Sequence, residues 1–231
     1  DLIMVRELVG GLYFGNKEAG INEQGLRYVK ETLEYDELQI RRIMHQAFKL
    51  AMKRRKLLHN IHKSNVLKSS VLWNEVMEEV AVEYPQVKVV NYLVDAAATA
   101  LCLNPTQFDV MVMENMFGDI ISDLGAATVG GLGVAPSAEL GLNHGLFQGA
   151  HGSAPDIAGQ DVASPIATIL SGALMLRWLA DRHHDAALRQ AADRIDTAVQ
   201  DVLAQGDAIP ADQGGNARCT EVTAAVCRRL R

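Results

Sequence analysis

What constrains this chain most is an alternation: apolar runs of strand length at residues 2–8, 58–62, 87–94 and 108–113 are separated by segments of helical period. Strands that recur with a helix between them do not pair as tight hairpins. Such βαβα alternation is the pattern of an α/β chain. The clearest helix spans 36–53, where Ile40, Ile43, Met44, Ala47, Phe48 and Ala51 fall on one side. Asp36 stands at its start with Gln39 three positions on, a pairing in which two side chains reciprocally bond backbone N–H groups of the first turn. A second helix is predicted over 69–84 and stops before Pro85, because the residue preceding a proline is driven out of helical geometry. An α/β architecture follows.

After Ala126 the character changes. Residues 128–145 and 146–159 are rich in glycine and carry Pro136 and Pro155, which predicts loops; helices are expected beyond them at 165–180, 185–204 and 220–230. Ser164 followed by Pro165 offers the first of these a hydroxyl cap and a proline at the first helical position. The boundary is placed near residue 129, giving lobes 1–129 and 130–231. Gly130-Gly131-Leu132-Gly133 has no Lys-Ser or Lys-Thr after it, so it reads as an interlobe connection and not as a phosphate loop. Residues 1–7 read as a strand with no lead-in, and a buried strand is a poor natural terminus, so a further amino-terminal segment is expected.

Charge and cysteine usage exclude several classes. A net charge of −6 over 231 residues offers no basic face to phosphates, so nucleic acid is not an expected partner. The one basic run, Lys53 to Lys56, falls at a helix end and reads as a solvated terminus favoured by the helix dipole. Cys102, Cys219 and Cys227 are odd in number and lack CxxC spacing, which predicts packed free thiols in a reducing, cytoplasmic compartment. His183-His184 falls in a polar stretch and reads as solvated. No apolar run reaches the ~18 residues of a membrane span, and no signal peptide opens the chain.

The segment with the most chemistry is Glu114-Asn115-Met116-Phe117-Gly118-Asp119-Ile120-Ile121-Ser122-Asp123. It predicts a strand end, a turn at Gly118 and a helix on which Asp119 and Asp123, four apart, share a face with roughly 5–6 Å between Cβ atoms. Like charges that close repel unless a cation lies between them, and Mg²⁺ or Mn²⁺ favours such oxygens. A capping Asp119 beside a solvated Asp123 would show the same spacing, and a helix N-terminus repels cations. A third carboxylate would help, and Asp95, just past the strand 87–94, is the candidate. Lys63, at a strand end, serves as acid or base if burial or a nearby charge lowers its pKa, and is otherwise a surface lysine. Tyr13 lies in Gly10-Gly11-Leu12-Tyr13-Phe14-Gly15, where glycines permit a tight turn and close ligand approach; the alternative is a packed loop tyrosine.

Five segments, in order along the chain, resemble the isocitrate/isopropylmalate dehydrogenase family. Residues Arg6 to Gly15 are similar to the arginine-to-tyrosine motif of its 3-isopropylmalate branch, and Lys63-Ser64-Asn65-Val66-Leu67 to the lysine segment. Tyr92 to Asp95 resembles the partner-supplied aspartate, Asn115 to Asp123 the metal signature, and His151-Gly152-Ser153-Ala154-Pro155-Asp156-Ile157-Ala158-Gly159 the cofactor loop. The resemblance implies a two-lobed α/β fold with central sheets flanked by helices, its amino-terminal part absent. Residues 1–129 would form the substrate, metal and dimerisation lobe, and 130–231 the carboxy-terminal part of the nucleotide lobe.

The resemblance also implies roles. Asp119 and Asp123 would hold Mg²⁺ or Mn²⁺, with Asp95 reaching in from the other subunit of a homodimer with shared active sites. Arg6 would bind a substrate carboxylate bidentately, Lys63 of the partner would assist removal of the hydroxyl proton, and Tyr13 would help protonate the enol. Asn65 would lie near substrate and nicotinamide. NAD would rest on His151, Gly152, Ser153, Ala154, Pro155, Asp156 and Ile157, with Ser164 near the adenine. Asp156 suits two ribose hydroxyls and repels a 2′-phosphate; NADP-linked relatives carry a lysine-tyrosine pair where this chain has Asp156-Ile157.

The implied activity is oxidative decarboxylation of a 2-hydroxy acid. The Gly-Gly-Leu-Tyr-Phe-Gly motif favours 3-isopropylmalate, a step of leucine biosynthesis, over homoisocitrate, isocitrate, D-malate or tartrate. A non-catalytic regulatory subunit is the alternative of another class. The chain departs from the pattern at Ser164, where many members have asparagine, and at Val9, in place of threonine, while Glu114 adds a carboxylate without an evident role.

Overall fold

The structure, a computed structural model, describes residues 1–230 and divides into two compact units, Asp1–Gly125 and the residues from Ala126 onward. In the first unit the strands are β1 (Ile3–Arg6), β2 (Lys17–Ile21), β3 (Arg27–Glu31), β4 (Leu57–His62), β5 (Lys88–Leu93) and β6 (Val110–Met113). Four of them make one all-parallel sheet in the order β1-β6-β4-β5. Each lies on one of the apolar runs, and helices α1 (Glu37–Met52), α2 (Lys68–Ala81), α3 (Val94–Leu103) and α4 (Asn115–Ala127) connect and cover them.

Strand alternation sorts the core into two layers. Leu58, Val110 and Val112 pack with Ile40, Met44, Phe48, Trp73 and Met77, under α1 and α2. Ile61, Met111 and Met113 pack with Ala97, Leu101, Phe117 and Ile121, under α3 and α4. The cap expected at Asp36 forms: its Oδ1 accepts the Gln39 amide at 2.8 Å, and Gln39 Oε1 accepts the Asp36 amide at 3.0 Å.

Several expectations fail here. The basic run 53–56 is not simply solvated. Arg54 Nε donates to Asp109 Oδ1 at 2.7 Å and the Arg55 amide to Oδ2 at 2.9 Å, because Asp109 is fully buried and needs paired charge. Cys102 and Cys227 are exposed thiols and not packed ones, with Cys219 intermediate. The antiparallel hairpin of β2 and β3 had no periodic signal.

In the second unit the glycine-rich stretch is not all loop: β7 (Pro136–Leu140) and β8 (Gly145–Gly149) pair antiparallel. They accompany α5 (Ile166–His183), α6 (Ala186–Gln205) and α7 (Cys219–Arg229), whose core is built on Ile166, Ala198, Val199, Val202, Val222 and Val226. Pro165 occupies the cap position of α5, one residue later than expected, and the Ile166 amide lies 3.5 Å from Ser164 Oγ, too long for a firm cap. His183 and His184 are exposed, as read. Among the described residues no helix is long and apolar enough to cross a membrane.

Candidate active site

In a parallel sheet all strands end on the same edge, and ligands of open α/β sheets bind beyond that edge. Arg6 closes β1, Lys63 follows β4, Asp95 follows β5, and the segment 114–123 follows β6. Four of the five sequence motifs therefore meet one carboxyl edge.

The turn predicted at Gly118 is absent. α4 begins at Asn115, two residues beyond β6, and Gly118 lies within it. The buried Glu114 makes this abrupt start possible. Its carboxylate accepts the amides of Met116 and Phe117 at 3.1 and 3.0 Å, satisfying orphan donors of the first turn, and the Tyr35 hydroxyl at 3.2 Å. The carboxylate without an evident role is thus a helix cap. Asp119 consequently sits in the second turn, past the positions where it would cap the helix itself. Gly118 leaves room for an arginine stem: a β-carbon there would lie 2.4 Å from Arg6 Cγ.

Arg6 is held along that groove. Its Nε and Nη2 donate to Asn115 Oδ1 at 3.0 and 2.8 Å, and its Nη1 to Asp119 Oδ1 at 2.6 Å. A guanidinium has five N–H donors, so two remain for a ligand. Tyr13 lies in a short 3₁₀ turn after Gly11, whose φ of +75° suits glycine. The Tyr13 hydroxyl donates to Asp119 Oδ2 at 2.7 Å, and Arg6 Cζ stands 5.5 Å from the ring centroid. The Asp119 hydrogen bond holds the Tyr13 phenol protonated above its ordinary range. Reciprocally, the Tyr13 hydroxyl, with help from Arg6, holds the Asp119 carboxyl below its own.

A second group forms at the other side of the sheet. Lys63 Nζ lies 2.6 Å from Asp95 Oδ1, and that contact lowers the Asp95 pKa. Asn65 is exposed on the turn after Lys63. Asp123 is exposed and makes no hydrogen bond or ion pair among the described residues. Among the described residues no three His, Cys, Asp or Glu side chains converge, so Asp95, Asp119 and Asp123 do not form a cage within one copy. The donor set of Asp119 and Asp123 is purely carboxylate, with Asp123 open, which fits a hard divalent ion.

In the second unit His151 to Asp156 are exposed along one loop and Ile157 is half-buried. Ala154 takes a left-handed conformation at φ +43° and leads into a 3₁₀ turn, Pro155–Ile157. His151 Nδ1 donates to the Gly152 carbonyl at 2.9 Å. The Asp156 carboxylate engages no other described residue, which fits a ribose diol acceptor. Ser164 is half-buried beside Gly133 and Asp212. A surface hollow of about 880 Å³ is lined by Asp207, Asn216, Thr220 and Arg228 among others and contains none of the sequence-predicted site residues.

The family described as isocitrate/isopropylmalate dehydrogenase matches residues 1–226. The chain belongs to that family. It is 49% identical over 208 residues to the 3-isopropylmalate dehydrogenase of Chromobacterium violaceum, covering 89% of this chain and 57% of that protein. The corresponding enzyme of Novosphingobium aromaticivorans is 46% identical over the whole chain, which spans 65% of it. Among solved structures, isocitrate dehydrogenase from Methylococcus capsulatus superposes with a TM-score of 0.91 at 35% identity, covering 100% of this chain and 67% of that one. The chain thus spans little more than half the length of the first of these relatives.

Sequence reasoning placed Glu114, Asn115 and Gly118 in the segment richest in chemistry but assigned none of them a role in the site. Only Gly118 left a signal, since a glycine inside a helix costs roughly 1 kcal/mol and marks a close approach. Glutamate is not a favoured cap, and the reach of Asn115 to Arg6 spans 109 residues.

Proposed function

We infer that this chain supplies the substrate-activating part of an NAD-linked dehydrogenase that oxidatively decarboxylates a 3-substituted malate, with 3-isopropylmalate first. The observation that carries the reading is the placement of Arg6, Tyr13 and Asp119 in one hydrogen-bonded group at the sheet edge that also bears Lys63 and Asp95. Asp119 and Asp123, with Asp95 of a second copy, would hold a divalent cation, which when bound would supply Lewis-acid chemistry at the substrate's C2 oxygen. Residues 151–157 would hold NAD⁺, which when bound would supply the hydride acceptor.

The chain's own residues do the rest. Arg6 has two N–H groups left to orient a substrate carboxylate, its stem held by Asn115 and the Gly118 groove. Lys63 takes the hydroxyl proton as the C2 hydrogen leaves. Tyr13, held protonated by Asp119, delivers a proton to carbon after CO₂ departs. Lys63 and Asp95 form a separate pair within one copy, so a complete site draws them from a partner in a homodimer. The β2-β3 ribbon supports a second copy: Ile21 and Val29 are 71% and 72% exposed, and a lone two-stranded ribbon is marginal in water.

The test is an assay of the complete protein with NAD⁺ or NADP⁺, Mg²⁺ or Mn²⁺, and a panel of 3-isopropylmalate, homoisocitrate, isocitrate, D-malate and tartrate. The highest kcat/KM is expected for NAD⁺ with 3-isopropylmalate, and Asp156→Lys with Ile157→Tyr should shift preference toward NADP⁺. No turnover of any 2-hydroxy acid would overturn the reading; turnover confined to isocitrate would overturn its substrate.

A further inference from the structure

The turn that carries Lys63 is locked by two buried polar side chains that the reaction itself does not use. The Lys63 amide donates to Ser70 Oγ at 3.0 Å, and the next amide, Ser64, donates to His62 Nδ1 at 3.3 Å. His62 is 8% exposed and Ser70 4%. The turn closes on itself when the amides of Val66 and Leu67 donate to the Lys63 carbonyl at 3.0 and 2.9 Å. Successive N–H groups at the end of β4 have no strand partner, and buried ones need acceptors. With Nδ1 accepting, the His62 ring proton sits on Nε2, and burial keeps the imidazole neutral, which preserves the lone pair that the Ser64 amide uses.

We propose that His62, seconded by Ser70, is a positioning residue that fixes the backbone of Lys63 so that its ε-amino nitrogen meets the substrate at one distance and angle. The proposal rests on the reading of Lys63 as the acid/base group. It goes further in tying the geometry of that group to a ring nitrogen one residue upstream. Misplacement of a reacting group by about 1 Å is enough to cost on the order of a hundredfold in rate.

The experiment is steady-state kinetics and amide hydrogen exchange on the complete protein with His62→Leu, His62→Asn, Ser70→Ala and Lys63→Met. Leucine fills the space without an acceptor, whereas asparagine Oδ1 stands where Nδ1 does. Expected are a ten- to hundredfold loss of kcat in His62→Leu with KM within about twofold, and faster exchange at Ser64. His62→Asn should retain kcat within about threefold, and Ser70→Ala should lose about tenfold. Wild-type kcat and exchange in His62→Leu would overturn the proposal, as would a His62→Asn variant that folds yet is as slow as the leucine variant. Should Lys63→Met keep wild-type turnover, the reading of Lys63 fails, and the positioning role fails with it.

Discussion

Asp109 and Asp119 flank the same strand, one entering β6 and the other beyond its end, and their neighbours set them different tasks. Asp119 shares its oxygens between Arg6 and Tyr13 and remains half exposed, open to a ligand. Asp109 is fully buried: desolvation pushes its carboxyl up, but the Arg54 hydrogen bond and the Arg55 amide outweigh it and hold the group below the ordinary range. A depressed folded pKa contributes stability that is complete above about pH 4 and is lost as pH falls through the lower folded value. Asp109→Asn should therefore lower unfolding free energy at pH 7 by about 2–3 kcal/mol, discounted because Arg54 stays partly exposed. Its deficit should shrink in denaturant titrations below pH 4. A constant deficit from pH 7 to pH 3 would contradict the assignment. Because the residue lies at the edge away from the site, substrate KM should not move.

α4 is the element on which the site depends. Alanine at 118 gains roughly 1 kcal/mol of helix propensity, yet its β-carbon would meet the Cβ, Cγ and Cδ of Arg6 at 2.4–2.9 Å. These atoms sit near the backbone and yield little, so overpacking of about 1–3 kcal/mol should win. Gly118→Ala is expected to unfold at lower denaturant and to raise substrate KM at least tenfold through a displaced Arg6, by the same kinetics; wild-type KM would show that the groove is not needed. The elements with deep cores were legible in sequence because burial imposes a period: Ile40, Met44, Ala47 and Phe48 face inward at helical spacing. The hairpins were not. Lys17–Ile21 buries no residue fully, so nothing selects an alternation, and Pro136–Leu140 pairs across a stretch whose glycines read as turns. The start of α4 was illegible for another reason, since a glutamate cap is recognised only by where its carboxylate points.

At the scale of the whole molecule, the sheet order separates the functional groups: Arg6 and Asp119 belong to β1 and β6, Lys63 and Asp95 to β4 and β5. The motifs for both groups could be read from the sequence, whereas the expectation that they divide between two copies came only from the family resemblance, since a single chain carries every residue. The central claim is that each working site combines Arg6, Tyr13, Asp119 and Asp123 of one copy with Lys63 and Asp95 of another. Complementation tests it most directly: Lys63→Met and Asp123→Asn forms of the complete protein, each inactive alone, are unfolded and refolded together in equal amounts. Random pairing puts half the dimers in mixed form with one intact site in two, so about a quarter of wild-type turnover should return. Mixed dimers that form and show no recovered activity would contradict a shared site.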